Sequence, residues 1–242
     1  METEKIAVPK THFIIKSSIV FLLFIFSGIF QIIGSRILGY DVNNLSNYQE
    51  LILTTISEIS LFLILIGIYF KDLKRDIKKI KKDFNKNMDI AIKWWLLGIL
   101  VMVVSNLIIG LFVKEATANN EESIRTLIDS SKYLSIFVFG IIGPIVEELV
   151  FRKAFRDIIK NDILFVLISG LVFGSLHVVL SVSNPLDLLY LIPYCSLGLA
   201  FSIIYQKTKN IYFSMFIHIF HNTLFSSLLV FGIGALLWNV KI

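Results

Sequence analysis

Long apolar runs alternate with short polar or charged connections along the whole chain. A helix needs about 20 apolar residues to cross a bilayer, because each residue adds only ~1.5 Å of rise. Runs of that kind fall near 14–35, 51–70, 90–113, 134–159, 163–180, 187–205 and 211–232. The pattern predicts an all-α polytopic membrane protein of about seven transmembrane helices that enclose an intramembrane site. The last run continues to Trp238 past Gly232 and Gly234, so an eighth short span is the alternative count. Pro144 lies inside the fourth run and Pro193 inside the sixth, where membrane helices tolerate kinks. The longest polar connection, 114–133 (KEATANNEESIRTLIDSSKY), predicts a short surface helix.

Composition supports the same class. Of 242 residues, 56% are hydrophobic and 17% charged, with 21 Phe. A soluble domain of this length would not carry so many long apolar runs. Cys195 stands alone, which leaves no disulfide framework and no Cys-rich metal site. The first run lacks an A-x-A-like cleavage site and reads as a retained span. The net charge is concentrated in residues 71–87 (KDLKRDIKKIKKDFNKN), where eight Lys/Arg face three Asp. By the positive-inside rule this segment is cytoplasmic. Alternation then puts the amino terminus, 160–162 and 206–210 inside, and 36–50, 114–132 and 181–187 outside; each of those outer segments sums to −1. The basic segment reads as a topology determinant and solvated linker rather than a patch for acidic lipids or an acidic partner. It gives no sign of nucleic-acid binding. Without an internal repeat, 1–242 reads as a single integral membrane domain. The Ile-, Lys- and Asn-rich composition points to a low-GC bacterium, and so to a bacterial cell membrane.

Ionisable side chains inside the spans are few, as expected when each costs about 2.5–3.5 kcal/mol even on lenient scales. The stretch GPIVEELVFR, 143–152, nevertheless carries Glu147, Glu148 and Arg152. Beyond it stand Glu58, His177, His218 and His221, with Asn222 beside the last. Glu148 and Arg152 are at i, i+4 in the favourable acid-first order. Adjacent helical residues point about 100° apart, so Glu147 faces elsewhere and the two glutamates are not expected to share a partner equally. This spacing suggests a structural role for Glu148 and a chemical one for Glu147. The turn at 160–162 lies midway between 147 and 177, so a helical hairpin sets both residues about 20 Å from it. His218 and Asn222, i and i+4 on the last run, reach about 12–20 Å from the connection at 206–210. A lone membrane histidine is commonly a packing residue. A carboxylate, two imidazoles and a carboxamide at one depth from three helices make a site. Glu58, with no partner at fixed spacing, reads as structural or gating. His221 points to a different part of its helix surface and reads as a support behind the site.

At these residues the chain resembles the CPBP family of intramembrane endopeptidases, also called the CAAX-protease and bacteriocin-processing family, whose eukaryotic relative is Ras-converting enzyme. The family pattern E-E-x-x-x-R, F-x-x-x-H, H-x-x-x-N is matched by EELVFR (Glu147, Glu148, Arg152), FGSLH (Phe173, His177) and HIFHN (His218, Asn222). The resemblance covers about 134–232, the expected catalytic core; the first three spans carry no motif. Lys153 follows Arg152 where a small residue is common, a departure expected to affect the helix exit rather than the chemistry.

The resemblance implies peptide-bond hydrolysis inside the membrane by a glutamate-activated water. Glu147 would be the general base, and His177 would help hold and polarise the water. His218 and Asn222 would donate to the developing oxyanion. Arg152 would hold Glu148 and keep the local charge low enough for Glu147 to ionise, with Phe173 and His221 as supports. No cofactor is then expected. Zinc bound by Glu147, His177 and His218 is the alternative, against which stand the missing H-E-x-x-H and the loss of a separate base. A non-catalytic immunity or transport factor is the third reading, since intramembrane charges also mark transport pathways. The expected partners are the lipid bilayer and a hydrophobic peptide or membrane-protein substrate, in peptide maturation or bacteriocin self-immunity, with no nucleic acid.

Overall fold

A computed structural model describes residues 11–112, 119–180 and 182–230, and every regular element among them is a helix. In chain order these are α1 (Thr11–Ile25), α2 (Gly28–Leu38), α3 (Asn47–Lys79), α4 (Phe84–Phe112) and α5 (Asn119–Ser130). They are followed by α6 (Lys132–Ile158), α7 (Asp162–Val179), a 3₁₀ turn (Pro185–Tyr190), α8 (Leu191–Thr208) and α9 (Ile211–Val230). The surface helix expected in 114–133 is α5. Polarity is inverted relative to a soluble protein: Arg152 has no exposed surface, whereas Leu111 is 81% and Ile37 78% exposed. That inversion is what a lipid-facing bundle requires.

About seven spans are expected, and the described residues supply five or six of them. Five helices, α3, α4, α6, α7 and α8 with its 3₁₀ turn, are long and apolar enough to cross. A sixth is reached if α1 and α2 form one span. The first run is thus not one straight helix: α1 and α2 meet at 49°. At the break the Ser27 carbonyl accepts the backbone N–H of Phe30 and also the hydroxyl of Ser57 on α3, each over 2.9 Å, which ties the bend to α3. α9, which carries His218, His221 and Asn222, is not among these spans, and the run it belongs to continues past Val230, beyond the described residues. The eighth span considered near 232–238 and the amino-terminal residues 1–10 lie outside the described residues.

Close helix contact positions the site. α7 and α8 approach so tightly that a Cβ at Gly174 would lie 2.5 Å from the Cys195 nitrogen, and one at Gly198 would lie 2.3 Å from the Gly170 carbonyl oxygen. Only glycine permits this approach, the small-residue logic of membrane helix packing. α6 is not uniformly α-helical: π-helical turns at Ile136–Ile142 and Glu148–Ala154 flank an α-helical turn at Gly143–Glu147.

At the basic end of the bundle an ion network ties α1, α3 and α6 together. Lys16 reaches Asp157 at 2.8 Å and Asp72 at 3.7 Å, and Lys153 reaches Asp157 at 3.2 Å and Asp72 at 3.6 Å. Lys153 therefore has a definite use: it anchors the end of the helix that carries the glutamates. Nearby, Asp162 at the start of α7 bonds Arg156, Gln206 and Lys209, clasping two turns of that end.

The packing makes a specific demand on Gly174. Gly174→Ala should lower the thermal unfolding midpoint of the purified protein, with an overpacking cost of about 1–3 kcal/mol. Gly67→Ala, where a Cβ meets nothing within 4 Å, should not lower it.

Candidate active site

Four helices supply the site. The start of the second π-helical turn of α6 presents Glu147 and Glu148 in succession. Glu148 and Arg152 form the i, i+4 pair read from their spacing, with Arg152 Nε 3.5 Å from Glu148 Oε1 and neither side chain exposed. The guanidinium also donates from Nη1 to Ser169 Oγ on α7 (3.3 Å) and lies 4.7 Å from the Phe173 ring centroid and 5.9 Å from that of Phe201. Ser169 in turn donates to the Phe151 carbonyl over 2.6 Å and sits 3.0 Å from Ser202 Oγ of α8. Nε and Nη2 of Arg152 have no hydrogen-bond partner among the described residues, so the charge is compensated chiefly by Glu148 and by the two aromatic rings.

Glu147 faces two imidazoles. His177 Nε2 lies 3.7 Å from its Oε1, and His218 Nε2 lies 3.4 Å from its Oε2. α6 and α7 thus bring residues 147 and 177 to one level, as a hairpin about the 160–162 turn requires. His177 Nδ1 donates to the Phe173 carbonyl (2.9 Å), which turns Nε2 towards the glutamate, and its ring stacks on Tyr194 of α8 at 5.4 Å. His218 stacks on Phe201 with centroids 4.3 Å apart.

Three side chains have contacts that their spacing did not reveal. The two glutamates share His218, though not equally: Nδ1 donates to Glu148 Oε1 (3.0 Å) while Nε2 faces Glu147 at 3.4 Å. An imidazole carries nitrogens on two edges, so one ring spans side chains that diverge from the helix. With both nitrogens turned to carboxylates, His218 is not placed as a free oxyanion donor. Asn222 is also engaged elsewhere, its Nδ2 donating to the Phe139 carbonyl on α6 (3.1 Å). Phe173 does more than back the site, because its ring contacts Arg152, His177 and His218 alike.

His221 sits behind the centre, accepting at Nδ1 from the indole N–H of Trp95 on α4 (3.3 Å) and packing near Phe225. Glu58 of α3 is within charge–charge reach of Glu147, and its Oε2 is buried without a hydrogen-bond partner among the described residues. Sequence reasoning missed Trp95, Tyr194, Phe201 and Ser202. Ser169 was accessible to it, since it lies four residues before Phe173 and eight before His177, on one helical stripe. Exposure divides the centre: the side chains of Glu147 and His177 are 20% and 24% exposed, while that of His218 is 3%.

Zinc has chemically suitable donors here, but not a suitable arrangement. The two imidazoles approach different oxygens of Glu147, and no group of three or more His, Cys, Asp or Glu side chains among the described residues is placed to hold a metal ion.

Residues 129–224 match the family model described as type II CAAX prenyl endopeptidase Rce1-like. The "Putative membrane peptidase YdiL" of Bacillus subtilis is 30% identical over 158 residues, 62% of this chain and 60% of that protein. The "Membrane-embedded CAAX protease MroQ" of Staphylococcus aureus is 28% identical over 200 residues, 76% of this chain and 74% of that one. The "UPF0177 protein YxdF" of Lactococcus lactis is 29% identical over 161 residues, 64% and 83% of the two chains. The chain thus spans 60% of the length of YdiL, less than two thirds of it. No solved structure matches the chain. The matched segment contains both glutamates, Arg152, Phe173, His177, His218 and Asn222, so it is across the candidate site that the chain is similar to the Rce1-like type II CAAX prenyl endopeptidases.

Proposed function

We propose that the protein is an intramembrane endopeptidase that hydrolyses a peptide bond in a short hydrophobic or membrane-associated peptide, using water activated by Glu147. The observation that carries this reading is the contrast within the glutamate pair. Glu148 is sealed against Arg152 and His218, while Glu147 is open and flanked by two imidazole Nε2 atoms.

The 3.7 Å between Glu147 Oε1 and His177 Nε2 is too long for a direct hydrogen bond and short enough for one water to bond both. Glu147 takes a proton from that water as its oxygen attacks the peptide carbonyl carbon. The proton then passes to the leaving nitrogen as the C–N bond breaks, which returns Glu147 to its ionised form. Glu147 Oε2 is backed by His218, which Glu148 and Arg152 hold in turn. A carboxamide has two N–H donors. Asn222 commits one to Phe139 and keeps the other for the carbonyl oxygen of the substrate. The arrangement of donors supports a metal-free centre, and no step runs through zinc.

The charge distribution supports a cytoplasmic basic segment and amino terminus in a bacterial membrane, where peptide maturation or bacteriocin self-immunity is the role expected of such an enzyme. A reporter fused after Lys82 should read as cytoplasmic and one inserted near Asn120 as external; the opposite result at either position would reverse the orientation.

Two variants separate the carboxylates. Arg152→Ala should reduce the yield of folded protein as well as turnover, since stranding a buried partner costs about 3–5 kcal/mol. Glu147→Gln should abolish cleavage, read by mass spectrometry of peptide products, at unchanged yield. A non-catalytic binding factor would tolerate that isosteric change.

Metal analysis tests the mechanism directly. Purified active protein should hold no stoichiometric zinc and keep its activity after prolonged chelation. One zinc per chain, with activity restored by its addition, would replace the water-and-glutamate mechanism with a metal one.

A further inference from the structure

We infer that Thr223 is a positioning residue for the site: with Asn222 it clasps α9 to two neighbouring backbone carbonyls of α6 where Pro144 and a change of helical register leave acceptors without helical donors, and so sets His218 against the glutamates. The inference rests on the proteolytic reading only for its kinetic readout.

The argument begins with a missing hydrogen. Proline has no backbone N–H. In the π-helical turn before it, each carbonyl looks five residues ahead, as Val138 does to the N–H of Gly143. The next carbonyl, Phe139, looks to residue 144 and finds proline. Between the N–H of Gly143, which bonds Val138, and that of Glu148, which bonds Pro144, five carbonyls face three N–H groups. The proline accounts for one shortfall and the change from π to α register for the other, and Gly140 adjoins Phe139 there. Adjacent residues of α9 address these two carbonyls. Asn222 Nδ2 donates to Phe139 O and Thr223 Oγ1 donates to Gly140 O, each over 3.1 Å.

Gly140 makes the approach possible. A Cβ there would lie 3.0 Å from Thr223 Oγ1 and 3.4 Å from the Thr223 Cα. Proline, glycine and the Asn222–Thr223 pair thus form one device, in which α6 exposes acceptors, permits contact and receives donors.

Its location gives it a function. Pro144 precedes Glu147 by three residues, and Thr223 follows His218 by five. A slip of α9 by one residue would translate it about 1.5 Å and turn it about 100°, breaking both bonds. The same slip would carry His218 away from Glu148 and Glu147, which it meets at 3.0 and 3.4 Å. Two bonds from neighbouring residues to neighbouring carbonyls resist sliding and rotation together.

The test is a double-mutant cycle on the full chain in detergent, with a quenched-fluorescent hydrophobic peptide library as probe and the thermal midpoint measured alongside. Thr223→Val should lower kcat about tenfold with KM within about twofold, because a small misplacement of reacting groups is costly. Thr223→Ser, which keeps the hydroxyl, should retain wild-type turnover. In a Pro144→Ala background residue 144 brings its own N–H, so Thr223→Val should change kcat by less than about threefold. Equal losses in both backgrounds, or an unchanged kcat with a lowered midpoint, would overturn the positioning role. If wild type and Glu147→Gln prove equally inactive, the protease reading fails by itself. The clasp is then still read from the midpoint, which Thr223→Val should lower only where proline is present; no such difference would overturn it.

Discussion

A guanidinium without access to solvent is the constraint on which the rest of this bundle depends. The charge of Arg152 has to be compensated within the bundle, and its partners draw in most of the core helices. Glu148 comes from its own helix, Ser169 and Phe173 from α7, and Phe201 from α8. His218 of α9 then attaches through Glu148. Ser169 can meet Arg152 while touching Ser202 because glycines let α7 and α8 close together. The polar network and the small-residue packing are therefore one requirement seen twice: a charge in apolar surroundings is stable only when its partners can come close.

The same network accounts for the inequality between two neighbouring carboxylates. Glu148 faces inward to the cation, and Glu147 faces an opening shared with His177. Arg152 offsets one negative charge, so the site does not have to hold two uncompensated carboxylates side by side. The second imidazole joins the sealed half to the open half. A single ring in contact with both glutamates makes the orientation of each depend on the other.

Much of this was legible in the sequence, for identifiable reasons. Apolar length marks α3, α4, α6, α7 and α8 because lipid leaves no other way to satisfy the backbone. The spacing of Glu148 and Arg152, and the midpoint of 147 and 177, follow from regular helix geometry. What escaped is what departs from regular geometry. The bend after α1 occurs within continuous apolar sequence, and the π-helical turns of α6 change the direction of side chains without changing their hydropathy. Trp95, Tyr194 and Phe201 were invisible because an aromatic residue that stacks on a catalytic-type imidazole reads the same as one that faces lipid. The engagement of Asn222 with Phe139 required knowing which carbonyls a proline had freed on another helix.

The shortness of α7 carries a consequence for the surrounding membrane. Its 18 residues cover only about 27 Å, less than the roughly 30 Å of hydrocarbon in an average bilayer. His177 stands two residues from its far end at Val179. A helix this short beside lipid is a hydrophobic mismatch of a few ångströms, which local thinning of the bilayer, snorkelling of flanking side chains or oligomerisation relieves at modest cost. It leaves His177 nearer the polar boundary than a longer helix would.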